Sequence, residues 1–152
     1  MLVLTPDLVQ LGAVAADKRE AIRQAGELLV RAGCVEPGYV AGMLAREQTM
    51  STYLGGGVAI PHATLDELPL VRRTAISVLQ VPAGVEWEPG EIAYLVIGIA
   101  AVGDEHINVL ARLGEVVEDE ALTRELFAAS DPASVVACLS RPGGETGETE
   151  PA

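Results

Sequence analysis

Three residues of this chain have the type and setting to do chemistry. His62 ends the run GGGVAIPH at 55–62, His106 lies in GDEHINVLARL, and Arg46 lies in LAREQTMSTYLGGG. Pro61 fixes its own φ and pushes Ile60 towards an extended conformation, so a strand should stop abruptly at His62. Such a stop presents the imidazole at a sheet edge or in a cleft. Neutral imidazole, with an ordinary pKa near 6.5, is available as a nucleophile at cell pH without a separate base. Phosphoryl transfer suits it, because that reaction asks a protein mainly for positioning and charge stabilisation. A phosphohistidine then passes its group onward, the N–P bond being labile.

His106 is expected in the first turn of a helix, where free backbone N–H groups and the helix dipole favour an anion. The same field disfavours imidazolium, so His106 should tend to be neutral. Arg46, at the end of a predicted helix, offers a planar guanidinium that can hold a phosphoryl group by two parallel hydrogen bonds. Each residue also has a plain structural alternative. His62 can be a turn residue, His106 can hold a loop, and Arg46 can compensate a helix dipole on a solvated face.

Other chemistries fit poorly. The glycine run lacks the lysine and hydroxyl of a P-loop, and no dinucleotide fingerprint follows a strand. Nothing marks a serine or cysteine as a triad nucleophile. Cys34 and Cys138 are distant from each other and read as buried thiols. Two distant cysteines and two distant histidines give no zinc spacing, so neither a metal nor a cofactor is expected.

The elements that must carry these residues follow from periodicity. Asp17 to Glu20 resembles a capping box, and Ala21, Ile22, Ala25, Leu28, Leu29 and Ala32 recur at helical spacing before Gly33. Pro37 suits a first helical position, with a second helix running to about Glu47 and Val40, Met43 and Leu44 turned inward. Thr74–Val81 reads as a strand followed by a Pro-Ala-Gly turn and a short segment around Trp87. Ile92–Ala101 is apolar on nearly every residue, as expected of a strand covered on both faces by helices. His106 then stands at the C-terminal end of that strand, where open α/β sheets gather ligands. Asp104 can cap a helix from Glu105 whose buried stripe is Ile107, Leu110, Leu113 and Val117. Further helices are expected at about Glu120–Ala129 and Pro132–Leu139.

With 152 residues, 49% hydrophobic and 21% charged, the chain reads as one globular domain. A formal charge of −12 argues against nucleic acid and would speed encounter with a basic partner. No apolar run can span a bilayer and no signal peptide is visible, so the expected location is cytoplasmic, without direct membrane insertion. Residues 142–152 carry no apolar side chain large enough to dock and are expected to form a disordered acidic tail beyond a domain at 1–141.

The stretches AREQTMSTYLGGGVAIPHATLDE and LVIGIAAVGDEHINVLARLGEVVEDE resemble IIA domains of the mannitol/fructose branch of the bacterial sugar phosphotransferase system. The similarity runs from about Leu2 to Arg141, and LVIGIAAVGDEHI is close to the mannitol-specific members. The resemblance implies a single three-layer α/β domain, with a mixed sheet flanked by helices on both faces. It implies a phosphocarrier in which His62 accepts a phosphoryl group from HPr, on Nε2 with Nδ1 held by a backbone carbonyl. The group then goes to a cysteine of a IIB domain. The family's second histidine matches His106, which would orient the phosphate, and its phosphate-facing arginine matches Arg46. Ala63 stands where many members have glycine, without glycine's freedom at φ > 0. No IIB cysteine loop or membrane IIC segment is visible, so the expectation is a separate soluble component. The competing reading is a regulatory protein of the nitrogen-type IIA group, acting through phosphorylation-dependent partner binding. An inactive relative that merely binds is a third.

Overall fold

The computed structural model describes residues 2–140; the expected tail at 142–152 lies outside them. Helix α1 spans Lys18–Arg31. The Asp17 carboxylate accepts from the Glu20 N–H at 2.9 Å, and the Glu20 carboxylate accepts from the Ala16 N–H at 2.6 Å. This reciprocal capping satisfies two N–H groups that no helical carbonyl can reach. Gly33, at φ 77°, follows the helix as expected.

Helix α2 spans Tyr39–Thr49, two residues later than Pro37 suggested. The Tyr39 N–H bonds back to the Glu36 carbonyl at 3.0 Å, so Pro37 and Gly38 form a turn before the helix. Its buried face is Tyr39, Met43 and Glu47, whereas Val40 and Leu44 are only partly covered. A carboxylate therefore takes a place that an apolar pattern would not assign.

The sheet has five strands, β1 (Val9–Gln10), β2 (Tyr53–Gly55), β3 (Val58–Ala59), β4 (Ala75–Glu88) and β5 (Glu91–Ala100), in spatial order β1-β4-β5-β3-β2. The β1–β4 and β3–β5 pairs are parallel, while β4–β5 and β2–β3 are antiparallel, giving the expected mixed sheet. Pro82-Ala83-Gly84 is not a turn. It forms an irregularity inside the long strand β4, and pairing resumes at Val85 opposite Ala93. Proline has no N–H for the ladder, so the strand bulges there instead of reversing. The reversal falls at Pro89-Gly90, with Gly90 at φ 82°.

Helices α3 (Glu105–Glu118), α4 (Glu120–Ala128) and α5 (Pro132–Leu139) follow. Leu95, Ile97 and Ile99 of β5 enter the core shared with these three, while Val96 and Ala100 enter the core under α1 and α2. Both faces of β5 are covered, which is why its sequence shows no alternation. α1 lies close on the sheet: Ser77 Oγ donates to the Ala25 carbonyl at 2.7 Å, and a methyl on Gly98 would come within 2.6 Å of that hydroxyl. The α3 stripe differs from expectation. Val109, Leu113 and Val116 are buried, and Ile107 is 70% exposed. Helix α3 meets the sheet through a face rotated from the expected one, leaving its first turn over an open groove. Among the described residues, no helix is long and apolar enough to cross a membrane.

Candidate active site

The glycine run solves a turn problem. Gly55, Gly56 and Gly57 have φ of 107°, 60° and 85°, conformations that side chains disfavour, and they reverse the chain between β2 and β3. Beyond β3 the Ile60 N–H donates to the Thr52 carbonyl at 2.9 Å, and the Pro61 carbonyl accepts from the Ile99 N–H at 3.0 Å. His62 then forms a single parallel bridge opposite Ile99. β3 is an interior strand, so the imidazole stands in a cleft at the C-terminal end of β5 and not on an outer edge.

His62 is buried, and its Nδ1–H donates to the Ile60 carbonyl oxygen at 2.8 Å. A carbonyl only accepts, so the proton of the neutral ring is on Nδ1 and Nε2 carries the lone pair. Tyr39 secures the backbone on the other side. Its hydroxyl donates to the Ile99 carbonyl at 2.7 Å and accepts from the Ala63 N–H at 3.3 Å. Burial pushes the Tyr39 hydroxyl pKa up to about 12, so it remains a donor. Ala63 is accommodated by Gly42 of α2, where an added methyl would come 3.2 Å from the Ala63 Cβ.

His106 is the second residue of α3. Asp104 occupies the position before the helix, but its side chain makes no capping bond. Thr74 holds the turn instead: its hydroxyl donates to the Glu105 carboxylate and accepts from the Val102 N–H at 2.9 Å. Arg46 sits in the last turn of α2 and donates from Nη1 to the Met50 carbonyl at 2.7 Å. The helix-end role expected for it is therefore present, and the same side chain also faces the histidines.

A groove of about 890 Å³ brings the three expected residues together, with Arg46, His62 and His106 joined by Thr64, Leu68 and Ile107. The two imidazoles meet with ring centroids 5.0 Å apart. Burial holds the His62 pKa below its ordinary 6.5; the bond to Ile60 opposes this, while His106 and Arg46 add to it. His106 is also held below 6.5, by burial first and then by Arg46. Tyr39, Thr74 and Glu47 escaped the sequence reading. The 39/43/47 spacing on one helix face was the available signal for two of them. Cys34 and Cys138 are buried thiols outside any disulfide, and neither lines the groove.

The model of the family described as Phosphoenolpyruvate-dependent sugar phosphotransferase system, EIIA 2, matches residues 2–141. The chain belongs to this EIIA family. It is 53% identical over 137 residues to a multiphosphoryl transfer protein of Xanthomonas campestris pv. campestris, covering 90% of this chain and 16% of that protein. It is 45% identical over 140 residues to a mannitol-specific EIICBA component of Pasteurella multocida, covering 90% of this chain and 22% of that one. The EIIA chain thus spans well under two thirds of these relatives. Its fold superposes on enzyme IIAMTL, solved in complex with phosphorylated enzyme IIBMTL from Escherichia coli, with TM-score 0.86 and 41% identity. That match covers 92% of this chain and 99% of the other. The nitrogen regulatory protein IIA-Ntr of Neisseria meningitidis matches with TM-score 0.79 at 25% identity, over 91% of this chain and 97% of that one.

Proposed function

We propose that this EIIA chain is a cytoplasmic phosphocarrier of sugar uptake, taking a phosphoryl group from phospho-HPr on His62 and giving it to a cysteine of a IIB domain. The observation that carries the reading is the Nδ1 bond to Ile60, which commits the Nε2 lone pair of a neutral imidazole to the groove. Nε2 attacks phosphorus, the bond from phosphorus to the donor breaks, and the proton stays on Nδ1, still donated to Ile60's carbonyl. In the second step the IIB thiolate forms a P–S bond, the N–P bond breaks, and its electron pair returns to Nε2. Arg46 neutralises the phosphoryl oxygens and His106, an uncharged donor, orients them, since their charge must be met in a partly buried place. The domain performing this is 1–141, a boundary supported by the family match at 2–141.

Transport is favoured over nitrogen-type regulation because identity is 41% to the Escherichia IIAMTL structure and 45% to the mannitol-specific Pasteurella component, against 25% to the protein named as nitrogen regulatory. Mannitol is favoured over fructose as the sugar served, on the names of the Pasteurella relative and the Escherichia complex. The Xanthomonas relative's name specifies no sugar.

The test is incubation with phosphoenolpyruvate, enzyme I and HPr, read by intact mass, then mixing with mannitol-type and fructose-type IIB. One acid-labile phosphoryl group that mannitol-type IIB drains faster is the expected result. No uptake ends the carrier reading, and faster draining by fructose-type IIB reverses the sugar assignment.

A further inference from the structure

Glu47 is a buried carboxylate, 5% exposed, which the transfer chemistry above does not use. An unpaired charge there would be costly, so its partners describe its work. Its Oε2 accepts from the Trp87 indole N–H at 2.8 Å and from the Thr52 N–H at 3.0 Å. Its Oε1 accepts from the Thr52 hydroxyl at 2.6 Å, and Lys18 Nζ lies 3.6 Å from Oε2. Both carboxylate oxygens are thus spent on fixing Thr52 against the end of β4.

Thr52 leads directly to the nucleophile. Its carbonyl accepts the Ile60 N–H at 2.9 Å, and Ile60's own carbonyl accepts His62 Nδ1–H at 2.8 Å. The turn between Glu47 and Thr52 also contains Met50, whose carbonyl anchors Arg46 at 2.7 Å. We infer that Glu47 is a positioning residue: clamping Thr52, it sets both the Ile60 carbonyl that fixes the His62 tautomer and the turn that aims Arg46. The clamp acts through geometry, while separately burial lowers the His62 pKa and the Glu47 charge raises it. The Thr52 N–H and C=O belong to different peptide units, so no proton or charge passes along the clamp.

The inference rests on His62 being the carrier, yet its first readout does not need transfer. The chain has two histidines, so ring nitrogen-15 spectra of labelled protein resolve both, and His106→Gln assigns them. In the parent chain His62 should show a single Nδ1–H tautomer. Glu47→Gln should give mixed tautomers at His62 and uptake from phospho-HPr slower by about 10-fold, the low end of what loss of an outer-shell partner costs at metal-bound histidines. Trp87→Phe removes one donor from Glu47 without touching Thr52, and should lower Tm while leaving the tautomer alone. If Glu47→Gln fails to fold, Thr52→Val removes the Oε1 bond while keeping the Thr52 N–H, and should still mix the tautomers. A single Nδ1–H tautomer in either folded variant overturns the role, whatever its uptake rate. If the parent chain took up no phosphoryl group, the carrier reading would fall, and the tautomer comparison would still decide Glu47.

Discussion

His62 and His106 meet edge to face, with ring centroids 5.0 Å apart and planes inclined by 62°. Two imidazoles this close cannot both charge cheaply, and both are already held below their ordinary pKa by burial. One ring has its Nδ1 committed to Ile60, and the other stands on a helix start. Their roles should therefore separate on mutation. His62→Ala should take up no acid-labile phosphate. His106→Ala should fold and accept phosphate, with onward transfer to IIB slower by about 10²-fold, as for loss of one charge-stabilising donor. Intact mass and single-turnover transfer check both. A His106 variant that melts much earlier yet transfers normally would make that ring structural.

Arg46 serves two masters, the Met50 carbonyl and the groove. Lysine keeps the charge but lacks a planar fork that could serve both at once. Arg46→Lys should bind HPr with unchanged affinity and transfer about 10- to 100-fold more slowly, the size of one charge-assisted hydrogen bond. Rates equal to the parent's would leave only its helix-end role.

The depressed histidines also give stability a pH dependence. Their unfolded pKa is about 6.5 and their folded pKa is lower, so between the two the unfolded chain binds more protons. The stabilisation from keeping these rings neutral is complete above pH 6.5 and is lost as pH falls through the folded pKa. Tm should decline on acidification below about pH 6.5. A His62→Gln/His106→Gln variant should decline less over the same window. Parallel curves would place the acid-sensitive groups elsewhere.

How far the sequence could be read depended on whether a side chain acts locally. The reversal at Gly55–Gly57, the proline that delivers His62, and the uninterrupted apolar strand before His106 are local signals, and they located the groove. Tyr39 and Thr74 act on Ile99 and Val102, partners 60 and 28 residues away, and Glu47 joins its bonds to Thr52, five residues on, with one from Trp87, 40 residues away. Only the sheet order brings such pairs together. The Pro82 bulge was misread for a related reason: whether a proline ends a strand or bulges it depends on what the neighbouring strand offers at that register.

Tyr39 gives a stability prediction with a chemical echo. Tyr39→Phe keeps the ring but leaves the Ala63 N–H without its partner and removes the donor to Ile99, both in buried surroundings. The cost should be about 1–3 kcal/mol of unfolding free energy. Because Ala63 follows the nucleophile, uptake should slow as well, even at temperatures where the variant is fully folded. Denaturant melts beside uptake rates decide it, and a stability loss without slower uptake would confine Tyr39 to the core.

Ile107 was expected inside the α3 stripe and instead stands 70% exposed on the rim of the groove, one residue after His106. We read this exposed side chain as a contact for a docking partner, because Leu68 and Leu110 extend the same apolar lining of the groove. Ile107→Asp changes nothing in the core, so Tm should hold within the usual small range for surface substitutions. The added charge would have to be desolvated on docking. KM for phospho-HPr should then rise about 10-fold or more, while kcat at saturation stays near the parent's. Salt separates this from long-range steering: the parent's encounter with a basic partner should slow as ionic strength rises, and the Ile107 effect should persist at high salt. An Ile107→Asp chain with unchanged KM would remove this rim from the docking surface.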